Sequence, residues 1–61
     1  MTRNFEIVKD IVAKNVAALK NEDKVDDPEF IRKVVDWTIS TLNQPYPLSE
    51  EEINEIKKQF I

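Results

Sequence analysis

Clustered carboxylates are the first feature of this sequence that could bind a ligand. Glu22, Asp23, Asp26 and Asp27 lie within one polar segment, and calcium takes its ligands from oxygen atoms of this kind. The loop of an EF-hand needs a Gly at its sixth position and a Glu at its twelfth, with alternating ligands between them. The chain has no Gly, and the spacing of these acidic residues does not match. We therefore predict a solvated loop that ends in a helix cap.

A second acidic run, Glu50-Glu51-Glu52, could suggest a pair of carboxylates for acid–base catalysis. Adjacent positions on a helix point in different directions, and the helix dipole favours acidic residues in the first turn. A structural role is therefore the better interpretation. The serine and threonine residues are poor candidates for a nucleophile, because the chain has no His that could activate them.

Missing residue types exclude more classes of protein than the residues present establish. The 61 residues include no Cys, His or Gly, which excludes disulfides, thiolate metal sites, histidine catalysis and glycine-rich phosphate loops. Twelve acidic against nine basic residues give a net charge of −3, whereas a duplex-binding domain usually carries a basic excess. We predict a single domain over residues 1–61 that is not an enzyme and needs no cofactor or metal. It should not bind nucleic acid, and no small-molecule substrate is evident from the sequence.

The apolar residues are too scattered for a membrane span. No run approaches the roughly 18 consecutive apolar residues that a spanning helix needs. Near the N-terminus, Glu6, Lys9 and Asp10 interrupt any apolar core of a signal peptide. We expect no membrane insertion and a cytoplasmic location.

Three segments have the periodicity of amphipathic helices, and the first covers residues 3–20. At about 100° per residue, its main apolar residues fall within one stripe about 80° wide. They are Phe5, Val8, Val12, Val16 and Leu19. Ile7 and Ile11 lie beside or behind this stripe, where they either widen the buried face or form a second, smaller contact.

The second helix is predicted over residues 28–43, with Asp27 as its cap and Pro28 in its first position. Its apolar side is about 160° wide, which predicts a central helix that contacts two neighbours. That side holds Phe30, Ile31, Val34, Val35, Trp37, Thr38, Thr41 and Leu42. We expect Trp37 in the core or at its edge.

The third helix, residues 50–60, has the clearest start signal in the chain. Ser49 and Glu52 have the spacing of a capping box, and Leu48 and Ile53 have that of a hydrophobic staple. Together the segments predict an all-α fold, a small three-helix bundle with short loops. Its expected core is Phe5, Val8, Val12, Val16, Leu19, Phe30, Val34, Trp37, Ile53, Ile56 and Phe60.

Four apolar or aromatic residues outside the main stripes, or at their ends, are candidate partner contacts. They are Ile7, Ile11, Tyr46 and Ile61. Tyr46 stands between Pro45 and Pro47 in a stiff connector, where it either covers the core or forms an exposed contact. Ile61 follows Phe60 without a Gly or polar cap. It therefore either belongs to a longer helix or contacts a partner.

From about Asp27 to Ile61, the chain resembles the N-terminal helical segment of secretion and pilus-assembly ATPases of the Tad and type II/IV class. The resemblance rests on a helix, a short break, the segment Pro47-Leu48-Ser49-Glu50-Glu51-Glu52, and an Ile-rich helix from Ile53 to Ile61. The family continues into a Gly-Pro-Leu-Glu segment and a Walker A loop, neither of which is present here. The resemblance therefore implies a detached front domain with a cytoplasmic docking or assembly role and no ATPase activity of its own.

Two functions stay open from the sequence. The first is a non-enzymatic helical module that binds a protein partner or a second copy, as the front docking domain of a secretion ATPase would. The second is a standalone small regulator or inhibitor, phage-like or antitoxin-like, whose acidic surface blocks a basic partner protein. The reading frame after Ile61 distinguishes them, because continuation favours the ATPase domain and a stop codon favours the regulator.

Overall fold

The helices of this protein begin where a side chain accepts hydrogen bonds from the first turn. The computed structural model describes residues 2–60. Within them it contains α1 (Arg3–Asn21), α2 (Pro28–Leu42) and α3 (Glu50–Phe60), with no strand. Each boundary lies within one residue of its prediction, so the all-α three-helix bundle is confirmed.

Thr2 and Asp27 are the caps of the first two helices. Thr2 Oγ1 accepts the N–H of Phe5 at 3.2 Å, and Asp27 Oδ1 accepts the N–H of Glu29 at 3.1 Å. Pro28 follows as the first residue of α2, where it lacks an N–H that would otherwise need a partner. The predicted cap at Asp27 is confirmed.

The core forms where one face of α1 meets α2 and α3. Its buried apolar residues are Phe5, Val8, Val12, Val16, Ile31, Val35, Ile39 and Ile56. A second set of half-buried residues packs against them, namely Leu42, Tyr46, Leu48, Ile53 and Phe60. The predicted α1 stripe is confirmed for its first four residues, whereas Leu19 is only half-buried.

The predicted core of α2 is wrong at two aromatic residues. Phe30 and Trp37 keep 46% and 64% of their surface exposed. Residues seven apart share one line along a helix, and Ile31 lies about 100° around the helix from that line. α1 and α3 cover only the Ile31 side of the broad apolar surface, so the outer line stays uncovered. Val34, which lies between the outer line and the Ile31 side, is half-buried.

A buried hydroxyl on α2 forms a hydrogen bond with α1. Thr38 Oγ1 donates to the Val34 carbonyl at 2.8 Å and accepts from Asn15 Nδ2 at 3.2 Å. Because its hydrogen-bonding groups are paired, this hydroxyl can be buried at little cost. The bond from Asn15 crosses 23 positions of sequence and lies inside the contact between the two helices.

The connection from α1 to α2 contains a backbone conformation that usually belongs to glycine. Lys24 has a φ of 59°, in the left-handed region where a Cβ atom is unfavourable. The next residue, Val25, donates its N–H to the Leu19 carbonyl at 2.9 Å and so closes the turn after α1. A lysine holds this position in a chain without any Gly.

Candidate interaction surface

The carboxylate of Glu52 joins the start of α1 to the start of α3. Its Oε1 accepts the N–H of Ser49 at 3.0 Å, and Ser49 Oγ accepts the N–H of Glu52 at 3.2 Å. These two bonds confirm the predicted capping box. Its Oε2 accepts the hydroxyl and the N–H of Thr2, at 2.5 and 3.3 Å, across 50 positions of sequence. We call Thr2, Ser49 and Glu52 the Glu52 junction.

The junction holds Glu52 in its charged form. Its pKa is lowered from the ordinary value of 4.5 to about 2. The Thr2 hydroxyl contributes most to this lowering and the Ser49 N–H comes next, while desolvation opposes both. A carboxylate with both oxygens occupied and so low a pKa is poorly suited to exchange protons near neutral pH. The geometry therefore gives Glu52 a structural role.

The acidic loop between α1 and α2 does not gather a ligand set. Asp27 is engaged as the cap of α2, while Glu22, Asp23 and Asp26 are exposed. Among residues 2–60, no three His, Cys, Asp or Glu side chains converge as a metal site would require. Asp23 instead lines a groove on the surface of the bundle.

Two surface grooves flank α2, and the one toward α3 is polar. A salt bridge joins Lys57 Nζ to Asp36 Oδ1 at 3.2 Å between the two helices. The lining residues are Arg32, Asp36, Glu51, Asn54, Glu55, Lys57 and Lys58. Because charges of both signs are interspersed, this groove presents no single-sign field to a charged ligand.

The groove on the other side of α2 is largely apolar, and we call it the α1–α2 groove. It is lined by Asn15, Ala18, Leu19, Asp23, Val34 and Trp37. Phe30, Val34 and Trp37 follow one another at spacings of four and three residues, which places them on one face of α2. We call these three residues the α2 stripe. Exposed apolar surface that is contiguous and rimmed by polar residues is typical of an interaction site.

Three of the four residues predicted as partner contacts lie within the described part of the chain. Ile7 and Ile11 are half-buried on α1. Tyr46 is half-buried and packs against the core, and its N–H donates to the Leu42 carbonyl at 2.8 Å. None of these three residues lines the α1–α2 groove. Ile61 lies outside the described residues.

The sequence carries a signal for the α2 stripe that the predicted core overlooks. An apolar side of about 160° is wider than the stripe of roughly 100° that a helix usually buries. One edge of α2 is therefore expected to stay uncovered, and Phe30 and Trp37 are the aromatic residues on that edge. For the Glu52 junction the local signal is incomplete. Thr2 is a favoured capping residue, but nothing near it in sequence indicates a bond to Glu52.

Comparison with known proteins adds no family to this description. No protein-family model matches the chain, and neither curated proteins nor solved structures give a significant match. Within residues 2–60, each helix is too short or too polar to cross a membrane.

Proposed function

We propose that this chain is a non-enzymatic helical module that binds a protein through the α2 stripe and the α1–α2 groove. The observation that carries the proposal is the exposure of Trp37, at 64%, beside a groove between two helices. Tryptophan is enriched among the residues that dominate binding energy at protein interfaces. The lack of His and Cys in the sequence supports the non-enzymatic part of the proposal.

The small size of the bundle also favours binding to a partner. A domain of about 60 residues hides only about 60% of the surface that its unfolded chain exposes. A partner over the α2 stripe would cover Phe30 and Trp37, and aromatic side chains bury on the order of 150–250 Å² each. Because such a partner binds only the folded chain, it would also raise the stability of the bundle.

Site-specific photo-cross-linking tests the proposal. A photoreactive phenylalanine analogue replaces Trp37 in one variant and Gln59, which is exposed on α3, in a matched control. When cells that naturally express the chain are irradiated, we expect a discrete protein adduct from position 37 and none from position 59. The same weak smear of adducts from both positions would show that the α2 stripe is not a binding site.

A narrower role within this function is the front docking domain of a secretion ATPase, in the cytoplasm. Its support is the resemblance of residues 27–61 to that family, including the capped third helix. The alternative is a standalone regulator or inhibitor of a partner protein, supported by the net charge of −3. A reading frame that continues past Ile61 into a Walker A loop would support the first role, and a stop codon there the second.

A further inference from the structure

We infer that the partner of the α2 stripe is a cationic amphipathic helix of another protein. Its apolar face contacts Trp37, and its Lys or Arg residues lie at the end over Phe30. This inference rests on the proposed function and gives the partner its chemistry. It is carried by the uneven charge along the stripe, whose surroundings are acidic at Phe30 and neutral at Trp37.

The end of the α2 stripe at Phe30 is surrounded by exposed carboxylates. Residues 22–29, which include the loop from α1 to α2, hold five acidic residues and one basic residue. Asp23 lines the α1–α2 groove, and Glu22 continues the line of α1 that carries Ala18, four residues before it. The five acidic residues, all exposed, are Glu22, Asp23, Asp26, Asp27 and Glu29.

The nearby cations do not balance these carboxylates. Arg32 lines the polar groove toward α3 instead, and Lys20 lies about 160° around α1 from Ala18. Lys33 does border the stripe, but Glu29 lies on the same edge one turn before it. Only Lys24 and Lys33 therefore oppose the five carboxylates at this end of the stripe.

The other end of the stripe, around Trp37, is electrically neutral among the described residues. On α1, Asp10 and Lys14 form a salt bridge with each other at 3.0 Å. On α2, Asp36 pairs with Lys57 of α3 at 3.2 Å. The exposed residues that follow along the chain are uncharged, namely Ser40, Thr41, Asn43 and Gln44. A complementary partner is therefore apolar at one end and positively charged at the other.

The shape of the α1–α2 groove suits the side chains of a helix. Its volume is about 280 Å³, below the roughly 300–1,000 Å³ of sites that hold small molecules. Phe30 and Trp37 are separated by about 10 Å along α2, or two helical turns. A helix that lies in a groove presents anchors at spacings of three and four residues, which is also the spacing of the α2 stripe.

The sign of the charge distinguishes this partner from other occupants. The phosphates of nucleic acid or of an anionic lipid surface would face the carboxylates around Phe30, and like charges oppose association. A second copy of the chain would bring a further net charge of −3 and the same acidic end. Lys and Arg on a partner helix would instead be attracted to this end, which also speeds encounter.

Two synthetic peptides test the charge of the partner. Both are Ala-rich, about 15 residues long so that they form helices, and carry Leu on one face without aromatic residues. One has Lys in its last two turns, and the other has Gln at the same positions. Trp37 is the only Trp in the sequence, so its emission should shift to shorter wavelength as a peptide covers it. The Lys peptide should bind about tenfold more tightly. Equal binding, or no shift with either peptide, would overturn the inference.

Neutralising the acidic end is the reciprocal test. The double variant Glu22→Gln/Asp23→Asn should bind the Lys peptide about fivefold more weakly and the Gln peptide as before. Glu51→Gln/Glu55→Gln in the polar groove is the matched control, because it changes the net charge equally and should alter binding less than about twofold. Circular dichroism checks the fold of both variants. Equal weakening by both would mean that the net charge of the chain attracts the peptide, and the inference would be wrong.

The photo-adduct at position 37 separates this inference from the proposed function. Mapping the cross-link by mass spectrometry should place it in a segment with apolar residues at helical spacing and an excess of Lys and Arg. An acidic or uncharged segment, or an adduct of twice the chain's mass, would refute the cationic helix and leave the interaction module intact. The same smear from positions 37 and 59 would refute the interaction module itself.

Discussion

At the Glu52 junction polar groups are paired within the chain, whereas at the α2 stripe apolar side chains stay exposed. At the junction, Thr2 and Glu52 are distant in sequence, yet their polar groups pair and Glu52 is only 9% exposed. At the stripe, Phe30 and Trp37 are about two helical turns apart, yet their apolar side chains remain in solvent. The first region pairs its polar groups within the chain, and the second leaves its aromatic side chains exposed to solvent.

The difference shows which forces decide each region. A buried carboxylate must have its hydrogen bonds satisfied, and Glu52 accepts hydrogen bonds from donors at the starts of α1 and α3. An exposed aromatic side chain carries no comparable penalty, because much of any folded surface is apolar. A bundle of three short helices can therefore leave Trp37 uncovered and remain folded, but it cannot bury Glu52 without partners.

The largest expected effect comes from truncating a core residue, compared with truncating a residue of the α2 stripe. Ile56 is fully buried on α3, and Ile56→Ala should lower the free energy of unfolding by about 3 kcal/mol through lost burial and a cavity. Phe30→Ala, on the half-exposed α2 stripe, is the matched control and should cost at most about 1 kcal/mol in dilute solution. Urea unfolding followed by circular dichroism measures both values. Equal losses would show that the stripe belongs to the core.

The caps of the Glu52 junction come next in size. Thr2→Ala and Ser49→Ala should each lower the unfolding free energy by about 1 kcal/mol, since each removes the acceptor of a first-turn N–H. Because the Thr2 hydroxyl donates to the Glu52 carboxylate and the Ser49 hydroxyl accepts the Glu52 N–H, both variants remove a bond to the same residue, and the double variant should depart from additivity by about 0.5 kcal/mol or more. Additive losses would contradict a single coupled junction.

Most of the secondary structure could be predicted from the sequence because its signals are local. Asp27-Pro28 and the Ser49–Glu52 pair fix two helix starts through bonds that span three residues or fewer. The position of Trp37 could not be predicted this way, because periodicity shows that one side of α2 is apolar and not which part α1 and α3 will cover. The bond from Thr2 to Glu52 depends on the packed bundle, so no local pattern encodes it.

Acid should weaken the Glu52 junction. The pKa of Glu52 is about 2 in the folded chain, below its ordinary value of 4.5. A lowered folded pKa means that the stabilisation is fully present above pH 4.5 and is lost as the pH falls toward 2. Protonation removes the charge but leaves the hydroxyl acceptors of both helix caps in place.

The Glu52→Gln variant isolates this effect from the other carboxylates. Gln can still accept the N–H of Ser49 in a capping box, but it has no charge to titrate. Thermal unfolding between pH 6 and pH 2 should therefore show a shallower decline for Glu52→Gln than for the original chain. Parallel declines would mean that the Thr2 hydroxyl does not stabilise the charged form, and the long-range half of the junction would be wrong.

The smallest effect comes from the turn after α1, which belongs to neither region. Lys24 holds a φ of 59°, where the Cβ atom of any residue other than Gly costs roughly 1–2 kcal/mol. Lys24→Gly removes that cost but adds freedom to the unfolded chain, so we expect a net gain of about 0.5 kcal/mol. Lys24→Ala is the control, because it removes the same charge and keeps the Cβ atom. The midpoint of urea unfolding should rise for the Gly variant alone, at an unchanged slope. An equal rise for Ala would trace the gain to the charge of Lys24 rather than to its backbone.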